Sequence, residues 1–135
     1  MVEKPRLIYF TGIGDEEVGY ISVAQSNLHV PFEIKRVYWV YQTPAYIERG
    51  NHAHIQCVQL LVAVSGKVEI ELENIQGEKE LFILSAPHIG LLIPVMHWRK
   101  IHLDAQAVLL CLASEEFNES DYIRSYYTFK SYTEK

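Results

Sequence analysis

The sequence predicts an all-β domain, an antiparallel sandwich or barrel of short strands with one short helix at the C-terminal end. Three observations carry that prediction. Segments rich in β-branched and aromatic residues recur along nearly the whole chain, as at residues 20–24 (YISVA) and 34–41 (IKRVYWVY). Residues 67–73 (KVEIELE) alternate strictly between polar and apolar, the period of a half-exposed strand. Turn residues separate the segments: Asn27, Pro31, Ser65-Gly66, Pro87 and Pro94.

The elements follow in order. Leu7-Ile8-Tyr9-Phe10 is apolar on both parities, which predicts a strand covered on both faces. After the two segments named above, residues 58–64 form an apolar run ended by the Ser65-Gly66 turn. Residues 74–79 read as a hairpin loop after the alternating strand, and residues 81–84, 90–93 and 107–112 continue the series. Arg99 and Lys100 read as a solvated face. In the tail, residues 118–132, Asn118 or Ser120 is placed to cap a helix whose apolar side holds Ile123, Tyr126, Tyr127 and Phe129. The tail tyrosines, Tyr132 included, are expected to pack against the barrel.

Composition narrows the function. A chain of 135 residues, 49 % hydrophobic and 21 % charged, is expected to form one domain spanning residues 1–135. A net charge of −5 disfavours non-specific nucleic-acid binding, although one basic pocket suffices for a nucleotide diphosphate. The first ten residues carry Glu3, Lys4 and Arg6 and show no signal-peptide pattern, and no apolar run reaches a membrane span. A cytoplasmic protein without a membrane association is the expectation. Cys57 and Cys111 sit in apolar segments and read as buried free thiols.

The chemistry concentrates in Arg49-Gly50-Asn51-His52-Ala53-His54. On a strand, His52 and His54 point to the same face, so they form either a metal pair or an acid/base pair. Gln59 has the opposite parity and joins them only if the chain bends between Gln56 and Val58. The spacing H-x-H-x4-Q, closed by Gly66, is the cupin metal pattern with its carboxylate replaced by an amide. That favours metal-free proton transfer. A metal site through His52, His54 and His97 is the competing reading, since zinc and iron sites want three protein ligands, often including a carboxylate.

Around this segment stand Arg36-Val37-Tyr38, Gly90-Leu91, Pro94 before Trp98, Leu112-Ala113-Ser114 and Asp121-Tyr122-Ile123-Arg124. The ordered set, spanning roughly residues 8–132, resembles the dTDP-sugar 3,4-ketoisomerases, the WxcM-like cupins. The resemblance implies a cupin jelly roll, a homodimer with an exchanged N-terminal strand, no metal or cofactor, and dTDP-4-keto-6-deoxyglucose as substrate. It implies His52 as the base and Tyr38 as its partner near the reacting carbons. In the family an arginine or tyrosine often precedes the glycine at the first barrel strand and influences the C4 configuration of the product; here Val18 precedes Gly19, and Gln25 stands where a glutamate is common.

The chemistry of such a reaction fits these residues. Moving a ketone from C4 to C3 needs a base of near-neutral pKa to take the C3 proton, and a neutral imidazole serves. Arg49 is expected to keep that imidazole neutral and to stabilise enediolate charge. Tyr38 is expected at the oxygen end, and His54 either orients the sugar or shares the proton shuttle. Gln59, Arg36 and Arg99 complete the expected substrate-binding set, with Trp98 as a core filler or a wall for the ligand. His29, His88 and His102 are expected on the surface. The rival functions are a metal-dependent cupin oxygenase and a non-catalytic sugar-nucleotide binding module. A sugar 3,5-epimerase is the weaker relative, because no His and Asp dyad is legible.

Overall fold

The computed structural model describes residues 3–133. Two five-stranded antiparallel sheets face each other. One runs β1 (Arg6–Tyr9), β9 (Ile89–Ile93), β6 (Gln59–Ser65), β11 (Val108–Ala113), β4 (Arg36–Val40). The other runs β12 (Tyr122–Ile123), β5 (Glu48–His54), β10 (Trp98–Leu103), β7 (Val68–Glu73), β8 (Lys79–Leu84). A small hairpin, β2 (Ile13–Asp15) with β3 (Gly19–Ile21), stands apart from both.

The inner faces of the two sheets share one aliphatic core. Val68, Ile70 and Leu72 of β7 meet Leu61 and Ala63 of β6, Leu91 and Ile93 of β9, and Leu109 of β11. The alternation that predicted β7 therefore has its apolar side in this core. Gly66 closes the β6–β7 turn at φ +72°, and a Cβ there would stand 2.7 Å from Ala107 Cα, so the turn admits only glycine comfortably. The opposite face of the first sheet (Leu60, Val62, Leu92, Leu112) is covered by Phe10, Val30, Phe32 and Ile34.

Three sequence expectations change. The segment at 20–24 contributes only β3; its partner β2 precedes it, and Asp15 Oδ1 caps the turn by accepting from the N–H groups of Glu17 (3.0 Å) and Val18 (3.1 Å). Residues 98–103, read in part as a solvated face, form strand β10, with Arg99 buried and Lys100 half-buried. The tail is not one helix. Asn118 caps a 3₁₀ turn at Glu119–Asp121, Tyr122 and Ile123 pair with β5, and the helix α1 (Tyr126–Thr133) begins afterwards, with Ser125 Oγ accepting from Thr128 N–H. Pairing with β5 removes Ile123 from the helix; Phe129 is buried, while Tyr127 points to solvent. Within the single chain, β1 pairs with β9, and Leu7 and Tyr9 are left uncovered.

Candidate active site

Strand β5 carries a β-bulge at the place where the chemistry begins. Along β10, Ile101 pairs with Arg49, Lys100 with Gly50, and Arg99 with His52, so Asn51 is the extra residue. Gly50 and Asn51 both have positive φ, +87° and +53°, a conformation glycine takes freely and asparagine tolerates. The bulge has a decisive effect on parity. In a regular strand Arg49 and His52, three residues apart, would face opposite ways; here both line the same cavity.

That cavity, about 460 Å³, has aliphatic walls from Val40, Ile101, Leu103 and Leu109. Arg36, Arg49, Arg99 and Arg124 bring four guanidinium groups to its lining, and no carboxylate among the described residues does. Phe117 and Tyr122 add aromatic faces, with Arg36 stacked 5.7 Å from Phe117 and Arg124 4.1 Å from Tyr122. Such a lining fits an anionic guest with a planar apolar part.

His52 Nδ1 lies 3.0 Å from the Gly50 carbonyl, which can only accept, so Nδ1 carries the proton and Nε2 keeps a lone pair. That Nε2 is buried with no protein partner. Burial, followed by the Arg99 charge, pushes the His52 pKa down to about 3. The imidazole is thus neutral and basic-side-out throughout the physiological range. The charge that enforces this belongs to Arg99, paired across the strand with His52, and not to Arg49, which is exposed; the expectation for Arg49 is corrected on this point.

Arg99 is fully buried and its guanidinium faces only neutral acceptors: Gln59 Oε1 at a short contact and the His97 carbonyl at 3.2 Å. Gln59 Nε2 in turn donates to Tyr38 Oη at 3.0 Å. Gln59 therefore bridges Arg99 and Tyr38. It reaches them because the chain does bend after His54 and crosses into the other sheet, the condition its parity demanded. It is not itself among the cavity-lining residues, so its expected contact with substrate is replaced by a supporting position. Burial also holds the Tyr38 phenol well above its ordinary pKa, which keeps its proton in place.

His54 shares the face of His52, with ring centroids 4.9 Å apart in a T-shaped arrangement, but it is wholly buried behind it and does not line the cavity. Its Nδ1 lies 2.9 Å from Asp121 Oδ2. A His–Asp pair therefore exists, contrary to the expectation from sequence, formed by residues far apart in the chain. Desolvation and then the Arg99 charge lower the His54 pKa, against the opposing pull of Asp121. Tyr122, missed as a site residue, lies tilted against both rings, with its centroid 5.1 Å from that of His52 and 4.4 Å from that of His54. The only sequence trace of both was the Asp121-Tyr122-Ile123-Arg124 block.

Two further residues lie elsewhere. Trp98 alternates with Arg99 on β10 and so faces outward, where Ala53, Ile123 and Phe129 bury it; it is a core filler and not a ligand wall. His97 bonds the Val95 carbonyl at 2.9 Å and borders a separate cavity of about 500 Å³ with Glu3, Lys4 and Glu80, so it does not join His52 and His54 around a metal. That second cavity is slightly larger, but none of His52, His54, Tyr38 and Arg99 lines it. His54, Cys57 and Asp121 place donor atoms within 4.8 Å of one another, yet the Asp121 oxygens are already taken by His54 and by the N–H groups of Gln56 and Cys57. His29, His88 and His102 are exposed, and Cys57 and Cys111 are buried free thiols, as expected.

Residues 3–134 match the family described as FdtA, WxcM-like, C-terminal. A TDP-4-oxo-6-deoxy-α-D-glucose 3,4-oxoisomerase of Aneurinibacillus thermoaerophilus is 34 % identical over 131 residues, covering 96 % of this chain and 93 % of that one. The sugar 3,4-ketoisomerase QdtA of Thermoanaerobacterium thermosaccharolyticum, solved in complex with TDP, superposes with a TM-score of 0.92 at 34 % identity, over 99 % of this chain and 97 % of that one. A histidine-to-asparagine variant of the same enzyme, in complex with TDP-4-keto-6-deoxyglucose, gives 0.93 at 33 % identity, over 99 % and 96 %. With 34 % identity over nearly its full length and a family match from end to end, the chain belongs to the FdtA, WxcM-like family of sugar-nucleotide ketoisomerases.

Proposed function

We propose that the protein is a TDP-4-keto-6-deoxyglucose 3,4-ketoisomerase, with His52 as the base. The observation that carries this is the buried, proton-free Nε2 of His52 on the wall of a cationic cavity. The TDP and the TDP-keto-sugar held by the two QdtA structures support the substrate class. His52 Nε2 takes the C3 proton, which the C4 carbonyl acidifies, and the electron pair moves into a C3–C4 enediolate. Arg99, with no carboxylate to neutralise it, offers its charge to the enediolate oxygen, and the Tyr38 hydroxyl, held by Gln59, stands at the same wall. The hydroxyl proton on O3 passes to O4, and return of the carbon-borne proton from His52 to C4 then leaves a hydroxyl at C4 and the ketone at C3. Arg36, Arg49 and Arg124 are assigned to the nucleotide end of the substrate, where the aromatic faces of Phe117 and Tyr122 complement a base or sugar.

The reading includes one domain and a homodimer joined near the N-terminal strand, supported by the uncovered Leu7 and Tyr9 on β1 and by Trp39 on the β4 edge. It also places the enzyme in the cytoplasm, where nucleotide sugars are made; no helix among the described residues is long and apolar enough to cross a membrane. Incubation with TDP-4-keto-6-deoxyglucose in D₂O tests the chemistry. A 3-keto product with deuterium at C4, or exchange at C3, is the expected result; an unaltered, undeuterated substrate would remove the ketoisomerase reading and leave the non-catalytic binder.

A further inference from the structure

We infer that Asp121 is a positioning residue for the proton transfer: it fixes His54 as the Nδ1–H tautomer and thereby sets a carboxylate-backed acceptor behind the base His52. The inference rests on the reading of His52 as base. Its geometry is independent of that reading.

Asp121 ends the 3₁₀ turn and leads into β12, whose Tyr122 pairs with His54 across the sheet. Its carboxylate is used completely. Oδ2 lies 2.9 Å from His54 Nδ1 and 3.3 Å from Cys57 N, and Oδ1 accepts from Gln56 N at 2.6 Å. An ionised carboxylate only accepts, so the proton between the pair sits on His54 Nδ1 and the Nε2 of a neutral ring keeps its lone pair. His52 is fixed the same way by the Gly50 carbonyl. The resting site therefore contains two buried Nε2 acceptors, on rings 4.9 Å apart, and neither has a donor. A buried acceptor without a donor is an arrangement that structures ordinarily avoid.

The reaction supplies the missing proton. When the C3–H bond breaks and an N–H bond forms on His52 Nε2, the electron pair goes to the enediolate and His52 becomes an imidazolium. Arg99 and Arg36 already crowd this region with positive charge. Asp121, acting through the His54 ring, is the one anion among the described residues placed against the pair, and it favours the charged His52 that exists only during turnover. The same carboxylate ties down the 55–58 turn that carries Gln59 to Arg99, so base and electrophile are set by one side chain.

Asp121→Asn is nearly isosteric, keeps an oxygen for Gln56 N–H and presents an amide N–H to His54 Nδ1. The His54 proton must then move to Nε2. Long-range proton–nitrogen correlation spectra of isotope-labelled histidine, recorded on the unliganded protein, read the tautomer directly. The expected result is Nδ1–H at His54 in the wild type and Nε2–H in D121N, with kcat lowered at least roughly tenfold and KM for the TDP-keto-sugar changed by less than about threefold. In a His52→Asn background the same substitution is expected to add almost nothing, because there is no imidazolium left to support. Wild-type His54 found as Nε2–H overturns the inference, whether or not the variant folds. So does a D121N enzyme with the tautomer switched and kcat intact. A wild-type protein that leaves the keto sugar unchanged removes the proposed function instead, and the tautomer result then stands alone.

Discussion

Strands β7 and β10 lie side by side through six register pairs, from Trp98 opposite Glu73 to Leu103 opposite Val68, and follow opposite logic. In β7 every inward residue is aliphatic: Val68, Ile70 and Leu72. In β10 the inward set is Arg99, Ile101 and Leu103, and one exchange from aliphatic to arginine turns one end of the barrel from core into site. A guanidinium without a carboxylate is costly to bury, on the order of several kcal/mol. The packed end supplies the rigidity that keeps the uncompensated end in place. A core strand thus minimises its own free energy, whereas a site strand holds a charge ready for a guest.

Paired substitutions test that division most strongly. His52→Asn is expected to lower turnover by roughly 10²–10⁴-fold, the range of a lost general base, with substrate affinity and melting temperature near wild type. Ile70→Ala in the neighbouring strand should do the reverse. Truncating a fully buried isoleucine costs about 2–5 kcal/mol of stability, while kcat measured well below the melting temperature stays unchanged. Steady-state kinetics and thermal denaturation on both variants decide it; a His52→Asn protein that turns over normally would move the base elsewhere.

The bulge is the next point of leverage. Gly50→Ala places a Cβ 2.8 Å from the Arg99 carbonyl at φ +87°, a conformation that alone costs about 1–2 kcal/mol for a residue with a side chain. Because Gly50 also fixes the His52 tautomer through its carbonyl, this variant should lose activity as well as stability, a double loss that Ile70→Ala does not show. Retained activity with lowered melting temperature would mean that the bulge serves folding alone.

How much of this was legible follows the same line between core and site. Strict alternation gave β7, Ser65-Gly66 gave the turn, and period two put His52 and His54 on one face. The condition on Gln59, that the chain bend after Gln56, was visible as a parity conflict and is met by the crossover between sheets. Arg99 was expected to bind substrate, but its full burial on a strand escaped because an inward arginine erases the alternation by which strands are read, and Trp98 beside it then looked free to face a ligand. Asp121 escaped for a different reason. Its partner His54 is distant in sequence, and only the β12–β5 pairing brings them together. The bulge was written in Gly50-Asn51, but its effect on the parity of Arg49 and His52 needed the register with β10.

A smaller effect separates His52 from the aliphatic core through pH. Its pKa falls from 6.5 to about 3 on folding, so below 6.5 the unfolded chain takes up a proton that the native state refuses. Its contribution to stability is complete above that pH and is lost progressively as the pH drops towards 3. His54 and His97 are lowered too and add to the slope. The melting temperature of the wild type should therefore decline on acidification through this window more steeply than that of His52→Asn, while Ile70→Ala runs parallel to the wild type. Parallel curves for wild type and His52→Asn would show that the imidazole is not desolvated in the native protein.

The smallest expected effect is that of a strong chelator on activity, which should be nil. The reasons lie in the donor set. The position a metal-binding cupin gives to a carboxylate is Gln59, whose amide is committed to Arg99 and Tyr38. His97 turns its Nδ1 to the Val95 carbonyl and borders a different cavity. The one cluster with suitable spacing among the described residues, His54, Cys57 and Asp121, has its carboxylate saturated, its imidazole Nδ1 donating to that carboxylate, and its thiol donating to the Val58 carbonyl while Arg36 stands 3.9 Å from the sulfur. Binding a cation there would require breaking the Asp121 contacts that hold the 55–58 turn, and would bring it against the Arg36 and Arg99 charges. The proposed proton transfer, with His52 as base and Arg99 as electrophile, calls on no cation besides the guanidinium. Turnover before and after exhaustive dialysis, with elemental analysis of the same samples, checks this; activity abolished by chelation and restored by zinc or iron would make His52 a metal ligand and the oxygenase reading the better one.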